Sequence, residues 1–280
     1  MKFNTWVRDA RNQLVAHKYE AAQVDWLVMD MMDWSRTDYV MHQHDDMTDQ
    51  VHQILKQGLL RLLKGEPVQY IVEKASFFNR DFKVTQDVLI PRPETEEVVM
   101  KLMEMMSSGQ VADIGTGSGI IAITLKKEMP QLNVWATDIS ENALDIAKYN
   151  AEKNQADIQF VLGDTLVPLI EKGLLLDGLI SNPPYICRSE QDVMSESTLN
   201  FEPHIALFAE DNGLGIYRKI LKQLPCVMKD GAPIVFEIGY QQGPVIKKLV
   251  TSMYPHLKVD VIADINGHDR IISFRWRVSK

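Results

Sequence analysis

At 280 residues with 45% hydrophobic side chains, the chain can bury a sizeable core, which excludes a disordered or fibrous protein and suits one large domain beside a small one. Its formal net charge of −8 argues against tight nonspecific binding to nucleic acid, which draws on many Lys and Arg contacts to phosphates. Two cysteines, Cys187 and Cys226, supply neither a disulfide framework nor a usual zinc spacing. With no apolar leader in Met1–Asp9 and no run of ~20 apolar residues, a soluble cytoplasmic chain is expected.

Apolar residues recur at helical spacing through Trp6–Val15, Ala21–Met32 and Val51–Leu63, which predicts three helices. Thr48 or Asp49 is positioned to cap the third, and Gly65 and Pro67 end it. The polar stretch Met41–Asp46 reads as a loop. Its His42, His44, Asp45 and Asp46 lack the surroundings of a metal site, so no metal is expected. Residues 1–74 carry nine basic and eleven acidic side chains, so this helical domain is not a basic one.

From Ala75 to Val84 short aromatic and β-branched runs flank Asn79-Arg80-Asp81, predicting a hairpin that links two domains over residues 75–85. A helix follows from about Thr95 to Met106. Beyond it, strands are predicted at Val111–Ile114, Asn133–Thr137, Ile158–Leu162, Leu175–Ser181, Ala232–Glu237, Lys258–Ile262 and Arg270–Phe274. Helices near 118–129, 141–154, 214–229 and 241–253 separate most of them. Such alternation builds a mostly parallel sheet with helices on both faces. The last two strands are joined by a connection too short for a crossover, so they are expected to form an antiparallel hairpin at the end of the sheet.

Asp113-Ile114-Gly115-Thr116-Gly117-Ser118-Gly119 falls where a strand turns into a helix, the position at which an open α/β sheet binds nucleotide-like ligands. Glycines there let the main chain approach a ligand closely. Asp138 closes the next strand, where a carboxylate can accept hydrogen bonds from two ribose hydroxyls. Asp164, after the third strand, is placed to reach an adenine edge. Glycines at 115, 117 and 119 depart from the dinucleotide fingerprint and favour S-adenosylmethionine over NAD.

Asn182-Pro183-Pro184-Tyr185 follows the fourth parallel strand at its carboxyl end, beside that crevice. An NH₂ group whose lone pair is delocalised must be held so that the pair aims at an electrophilic methyl. The Asn182 side-chain oxygen and a carbonyl of the adjacent prolines can accept its two N–H bonds. Tyr185 offers a flat face for a planar acceptor. A glutamine amide and the exocyclic amine of adenine in DNA or RNA both satisfy this description.

The sequence resembles the bacterial release factor glutamine methyltransferases over nearly its whole length. The resemblance runs through Gly65-Glu66-Pro67 with Tyr70-Ile71, Ile90-Pro91-Arg92-Pro93-Glu94-Thr95, the Asp113–Gly119 loop and Asn182–Tyr185. Phe201-Glu202-Pro203 with Ala206-Leu207, and Glu237-Ile238-Gly239 with Gln241-Gln242-Gly243, complete it. The tetrapeptide is shared with adenine methyltransferases; the Ile-Pro-Arg-Pro run and the Phe-Glu-Pro segment are not.

The resemblance implies a Rossmann-like α/β methyltransferase fold, with a seven-stranded sheet and antiparallel terminal hairpin over residues 86–280. A helical substrate-recognition domain of residues 1–74 precedes it. It further implies methylation of the glutamine of a Gly-Gly-Gln motif in peptide chain release factors by a monomer that binds neither nucleic acid stably nor membrane. The expected cofactor contacts come from Asp113, Gly115, Thr116, Gly117, Ser118, Gly119, Asp138, Asp164, Thr165 and Asn182, with Asn182–Tyr185 holding the acceptor. Thr165 stands where some relatives carry an aromatic residue, so Leu166 is expected to supply the apolar contact to the adenine.

Overall fold

The computed structural model describes residues 1–278; the last two residues of the expected 86–280 domain lie outside it. The chain forms two compact units. One comprises Met1–Lys74, Val84–Gln86 and Met194–Phe201; the other comprises Ala75–Lys83, Asp87–Val193 and the chain from Glu202 on. Among the described residues, no helix is long and apolar enough to cross a membrane.

The first unit is helical: α1 (Phe3–Ala16), α2 (Gln23–Met32), α3 (Arg36–His42), α4 (Asp49–Leu62) and α5 (Val68–Ile71). Trp6, Leu14, Leu27, Leu55 and Leu62 meet in a single apolar core. Thr48 caps α4 by accepting from the Val51 amide. The helix α3 is an addition to the sequence reading and takes in part of the expected Met41–Asp46 loop. A reciprocal cap starts it: the Ser35 hydroxyl accepts from the Asp38 amide while the Asp38 carboxylate accepts from the Ser35 amide, satisfying two otherwise unbonded donors.

The second unit opens with β1 (Ala75–Phe77) paired antiparallel to β2 (Arg80–Phe82). Phe78 and Asn79 both adopt positive φ, 48° and 56°, as a two-residue turn matching strand twist requires. Phe77 and Phe82 are buried in the core of this unit, so the hairpin is packed structure rather than a free connection.

Next come α6 (Glu94–Met105), β3 (Gly109–Ile114), α7 (Ile120–Glu128), β4 (Leu132–Asp138), α8 (Glu141–Lys153), β5 (Ile158–Leu162), α9 (Val167–Glu171) and β6 (Gly178–Ser181). The helix α10 (Glu196–Phe201) belongs to the first unit. The chain then forms α11 (His204–Leu207), a kinked turn α12 (Glu210–Gly213), α13 (Gly215–Val227), β7 (Pro233–Glu237), α14 (Gly243–Met253), β8 (Val259–Ala263) and β9 (Asp269–Arg275).

The seven strands lie in the order β5-β4-β3-β6-β7-β9-β8, the first five parallel and β9 antiparallel to both of its neighbours. This is the expected mostly parallel sheet with a terminal antiparallel hairpin. Side chains alternate between two apolar clusters. Leu179, Ile234 and Phe236 join Leu221 and Leu224 of α13, while Ile180 and Val235 join Val98, Val99 and Leu102 of α6. Strand order reverses between β3 and β6, and such a reversal opens a crevice beyond the carboxyl ends of those strands.

Candidate active site

A cavity of ≈ 330 Å³ occupies that crevice. Its walls include Arg92 just before α6 and Thr95 in its first turn, Gly115–Ser118 after β3, Asp138–Ser140 at and after the end of β4, Gly163–Thr165 after β5 and Asn182–Pro184 after β6. Ile205, Phe208, Ile216 and Lys219 close it from the later helices. Five loops far apart in sequence therefore meet at one end of the sheet.

In the first of these, Gly115 and Gly117 have φ of 73° and 54°, left-handed values that cost other residues about 1–2 kcal/mol each. A Cβ added at either would meet nothing within 4 Å, because the bare main chain faces open space. The amides of Gly115 and Thr116 both donate to the Thr137 carbonyl, fastening the turn to β4.

Behind the turn lies Asp113, wholly buried and not part of the cavity wall. Its Oδ2 accepts from the Thr116 hydroxyl at 2.6 Å and the Ala122 amide at 3.2 Å, tying the loop to the first turn of α7. Its Oδ1 has no hydrogen-bond partner. Burial pushes this carboxyl up to about 7, against the two hydrogen bonds that favour its charged form.

Asp138 faces the cavity with its carboxylate held by main-chain amides, among them Gly117 on Oδ2 and Ser140 on Oδ1, both at 2.9 Å. Partial burial raises its pKa, and the hydrogen bonds from Ser140, Gly117 and Ile139 oppose the rise. The carboxylate keeps acceptor capacity for a ligand hydroxyl. Asp164 is paired with Lys219 at 2.9 Å. Thr165 has a positive φ of 54° and donates to Gln223 Oε1, which also accepts from the Leu166 amide. Leu166 itself is fully buried in the core, so the expected apolar contact from it is not made. Ile139, 56% exposed, presents an apolar side chain on the cavity wall next to Asp138.

On the opposite side, Asn182 donates through Nδ2 to the Thr95 hydroxyl at 3.3 Å. Thr95 in turn donates to Glu237 Oε2 at 2.6 Å. Thr95 and Glu237 are each 1% exposed, and burial pushes the Glu237 carboxyl up to about 7. Pro183 and Pro184 share the wall, whereas the Tyr185 ring does not line the cavity and packs against the core near Gly239. Burial pushes its hydroxyl up to about 12. The Tyr185 carbonyl accepts from Gln242 Nε2 at 2.9 Å, and the other end of that amide accepts from the Gly239 amide. Gly213, at φ 83°, lies so close that a Cβ there would collide with the Tyr185 carbonyl oxygen.

Arg92 is held at 2.5 Å by Glu202, whose side chain is 2% exposed and also accepts from the Ile90 amide. The two partners lie 110 residues apart in sequence. Thr95, Arg92, Glu237, Gln242 and Gly213 were all without assigned roles. For most of them the available signal was membership of the Ile-Pro-Arg-Pro, Phe-Glu-Pro and Glu-Ile-Gly segments, which carried resemblance but no chemistry.

Residues 94–200 match the family model described as methyltransferase small domain, and residues 5–72 match the PrmC N-terminal domain. Release factor glutamine methyltransferase of Staphylococcus aureus is 51% identical, over 92% of this chain and 93% of its own. The protein of that name from Bacillus subtilis is 46% identical over 75% of each, and that from Streptococcus pneumoniae 35% identical over 97% and 98%. Among solved structures, a methyltransferase from Pyrococcus furiosus aligns with a TM-score of 0.54 at 18% identity, over 80% of this chain and all of that one. That likeness is one of fold.

Proposed function

Because the chain belongs to the release factor glutamine methyltransferase family, we propose that it methylates the side-chain nitrogen of the glutamine in the Gly-Gly-Gln motif of release factors, using S-adenosylmethionine in the cytoplasm. One observation carries the reading: Asn182-Pro183-Pro184 and the exposed main chain of Gly115 and Gly117 wall the same cavity.

The residues present fit the cofactor. The turn at Gly115 and Gly117 leaves space where side chains would otherwise stand, and Asp138 keeps free acceptor capacity toward it. Asp138 would hold the ribose hydroxyls, with Ile139 against the adenine and Asp164 and Thr165 near its edge. When bound, the cofactor supplies a methyl on cationic sulfur: the amide nitrogen forms the N–C bond as the C–S bond breaks toward sulfur, and the surplus amide proton passes to water.

The protein's part is orientation. Asn182 Oδ1 and a carbonyl of the proline pair accept the two N–H bonds of the glutamine amide and so direct its lone pair. No strong base is required, which suits an Asn at this position. Pro183 and Pro184, lacking N–H, leave their carbonyls to the acceptor. Tyr185 serves through its main chain, which Gln242 and Gly213 brace.

The test is incubation of purified protein and labelled cofactor with release factor and with DNA in parallel. Label on the Gly-Gly-Gln glutamine is expected; label on DNA alone refutes the proposal in favour of an adenine methyltransferase. The helical first unit is proposed to grip the release factor away from the reacting residue. Replacing its exposed Trp26 and Met41, 56% and 68% exposed, with Ser should lower kcat/KM on intact release factor by about tenfold. Activity on a short Gly-Gly-Gln peptide should not change.

A further inference from the structure

Parallel pairing of β6 with β7 places Ser181 opposite Phe236, so the next residues, Asn182 and Glu237, leave adjacent strands side by side. Thr95, in the first turn of α6, joins them. The three form one hydrogen-bonded row from the cavity wall into the core.

Resting on the proposed glutamine methylation, we propose that Thr95 and Glu237 are positioning residues that set which end of the Asn182 carboxamide faces the acceptor. An ionised carboxylate can only accept hydrogen bonds. Its claim on the Thr95 hydrogen leaves Thr95 with lone pairs alone to offer Asn182. The amide must then turn Nδ2 toward Thr95 and Oδ1 toward the cavity, where an acceptor NH₂ needs an oxygen. A protonated Glu237 reverses the row. It donates to Thr95, which releases the hydroxyl hydrogen to Asn182 Oδ1 and presents Nδ2 to the acceptor, so that donor faces donor.

The groups facing Glu237 act in both directions. Arg270 from β9 and Arg92 before α6 favour its charged form, while burial and Glu94 oppose it. Tyr185 and Tyr217 adjoin it as neutral phenols, and the Tyr217 hydroxyl donates to its main-chain carbonyl. The balance leaves the Glu237 carboxyl pushed up to about 7.

The expected results follow from orientation rather than affinity. In the full-length enzyme, Glu237→Gln, which can donate to Thr95, should lower kcat by about 30-fold with KM for release factor changed by less than about threefold. Wild-type kcat should rise with pH through about 7, and this rise should vanish in the variant. Thr95→Val should match Glu237→Gln, whereas Thr95→Ser, which keeps the hydroxyl, should recover turnover to within about threefold of wild type. Calorimetry with S-adenosylhomocysteine on each preparation separates this from misfolding.

A readout independent of substrate is the ¹⁵N side-chain amide resonance of Asn182, assigned by its loss in Asn182→Ala. It should shift with a midpoint near 7 in wild type and stay fixed in Glu237→Gln. Absence of product from wild type would refute the glutamine reading alone. An Asn182 resonance insensitive to pH, or normal kcat in both Glu237→Gln and Thr95→Val, would overturn the positioning row.

Discussion

The turn after β3 and the segment after β6 leave neighbouring parallel strands at the same edge, yet they are built on opposite plans. In the turn, the main chain itself faces the cavity; Asp113 braces it from no more than nine residues away, and the next strand fastens it through Thr137 and through Asp138, 21 residues beyond Gly117. In the Asn182 segment a side chain faces the cavity, and its supports come from a distance. Thr95 is 87 residues from Asn182, Glu237 is 142 from Thr95, and Gln242 is 57 from Tyr185. A surface made of main chain can be recognised from its own glycines, even where a neighbouring strand fastens it. A correctly turned carboxamide cannot, because its orientation depends on which neighbour donates.

If that division holds, substitutions on the two sides should separate catalysis from cofactor affinity. The largest effect is expected from Asn182→Ala: kcat should fall by about 10²–10³, the range for losing one oriented hydrogen bond at a transition state. S-adenosylhomocysteine affinity, measured by calorimetry, should stay within about threefold. Near-normal turnover would remove Asn182 from the chemistry.

Next is Gly213→Ala, outside the cavity wall. The left-handed backbone costs about 1–2 kcal/mol, and the collision with the Tyr185 carbonyl displaces the segment. Unfolding in urea should show a loss of roughly 2–3 kcal/mol, and turnover should drop while cofactor affinity survives. A variant with wild-type kcat would mean the Asn182 segment does not rely on remote bracing.

Asp138→Ala should do the reverse. Loss of its hydrogen bonds to the ribose hydroxyls should weaken S-adenosylhomocysteine binding by about tenfold, with kcat at saturating cofactor little changed. An unchanged dissociation constant would displace the ribose from this side.

The smallest effect concerns Asp113. Its folded-state pKa of about 7 lies above the ordinary carboxylate range, so the unfolded chain releases this proton first as pH rises. Stability from this group is present at low pH and lost up to about 7. Asp113→Asn should remove that share of the decline between pH 5 and 8, at least about 1 kcal/mol of wild-type slope. Identical slopes in the two proteins would show that Asp113 is not held partly neutral.

What the sequence disclosed follows the same division. The glycines, the Asp138 at the end of the next strand and the Asn-Pro-Pro-Tyr segment each announce themselves within a few residues, because turn chemistry and strand ends are local. Thr95 and Glu237 do not: a Thr at a helix start reads as a cap, and a Glu at a strand end reads as a polar boundary. Their meaning appears only once β6 and β7 are neighbours with α6 laid across them, an ordering that hydrophobic periodicity does not encode. Leu166 failed for a related reason, since position in sequence could not tell which side of a left-handed Thr165 faces the core. Helix α3 was missed although Ser35 and Asp38 stood three apart, because seven residues give periodicity little to detect.

Helix α10 reaches the first unit from between β6 and α11, and its Ser197 hydroxyl donates to the Gly65 carbonyl at 2.6 Å. On a ribosome this imposes a wait. The first five helices are synthesised before the strands, but their unit gains its last helix only after Phe201. At typical elongation rates the interval from Lys74 to that point is roughly 6–25 s, long compared with helix formation and collapse. During it, the early helices stand without one of their packing partners while β3 to β6 emerge, and a chain stalled before residue 194 would carry both units incomplete.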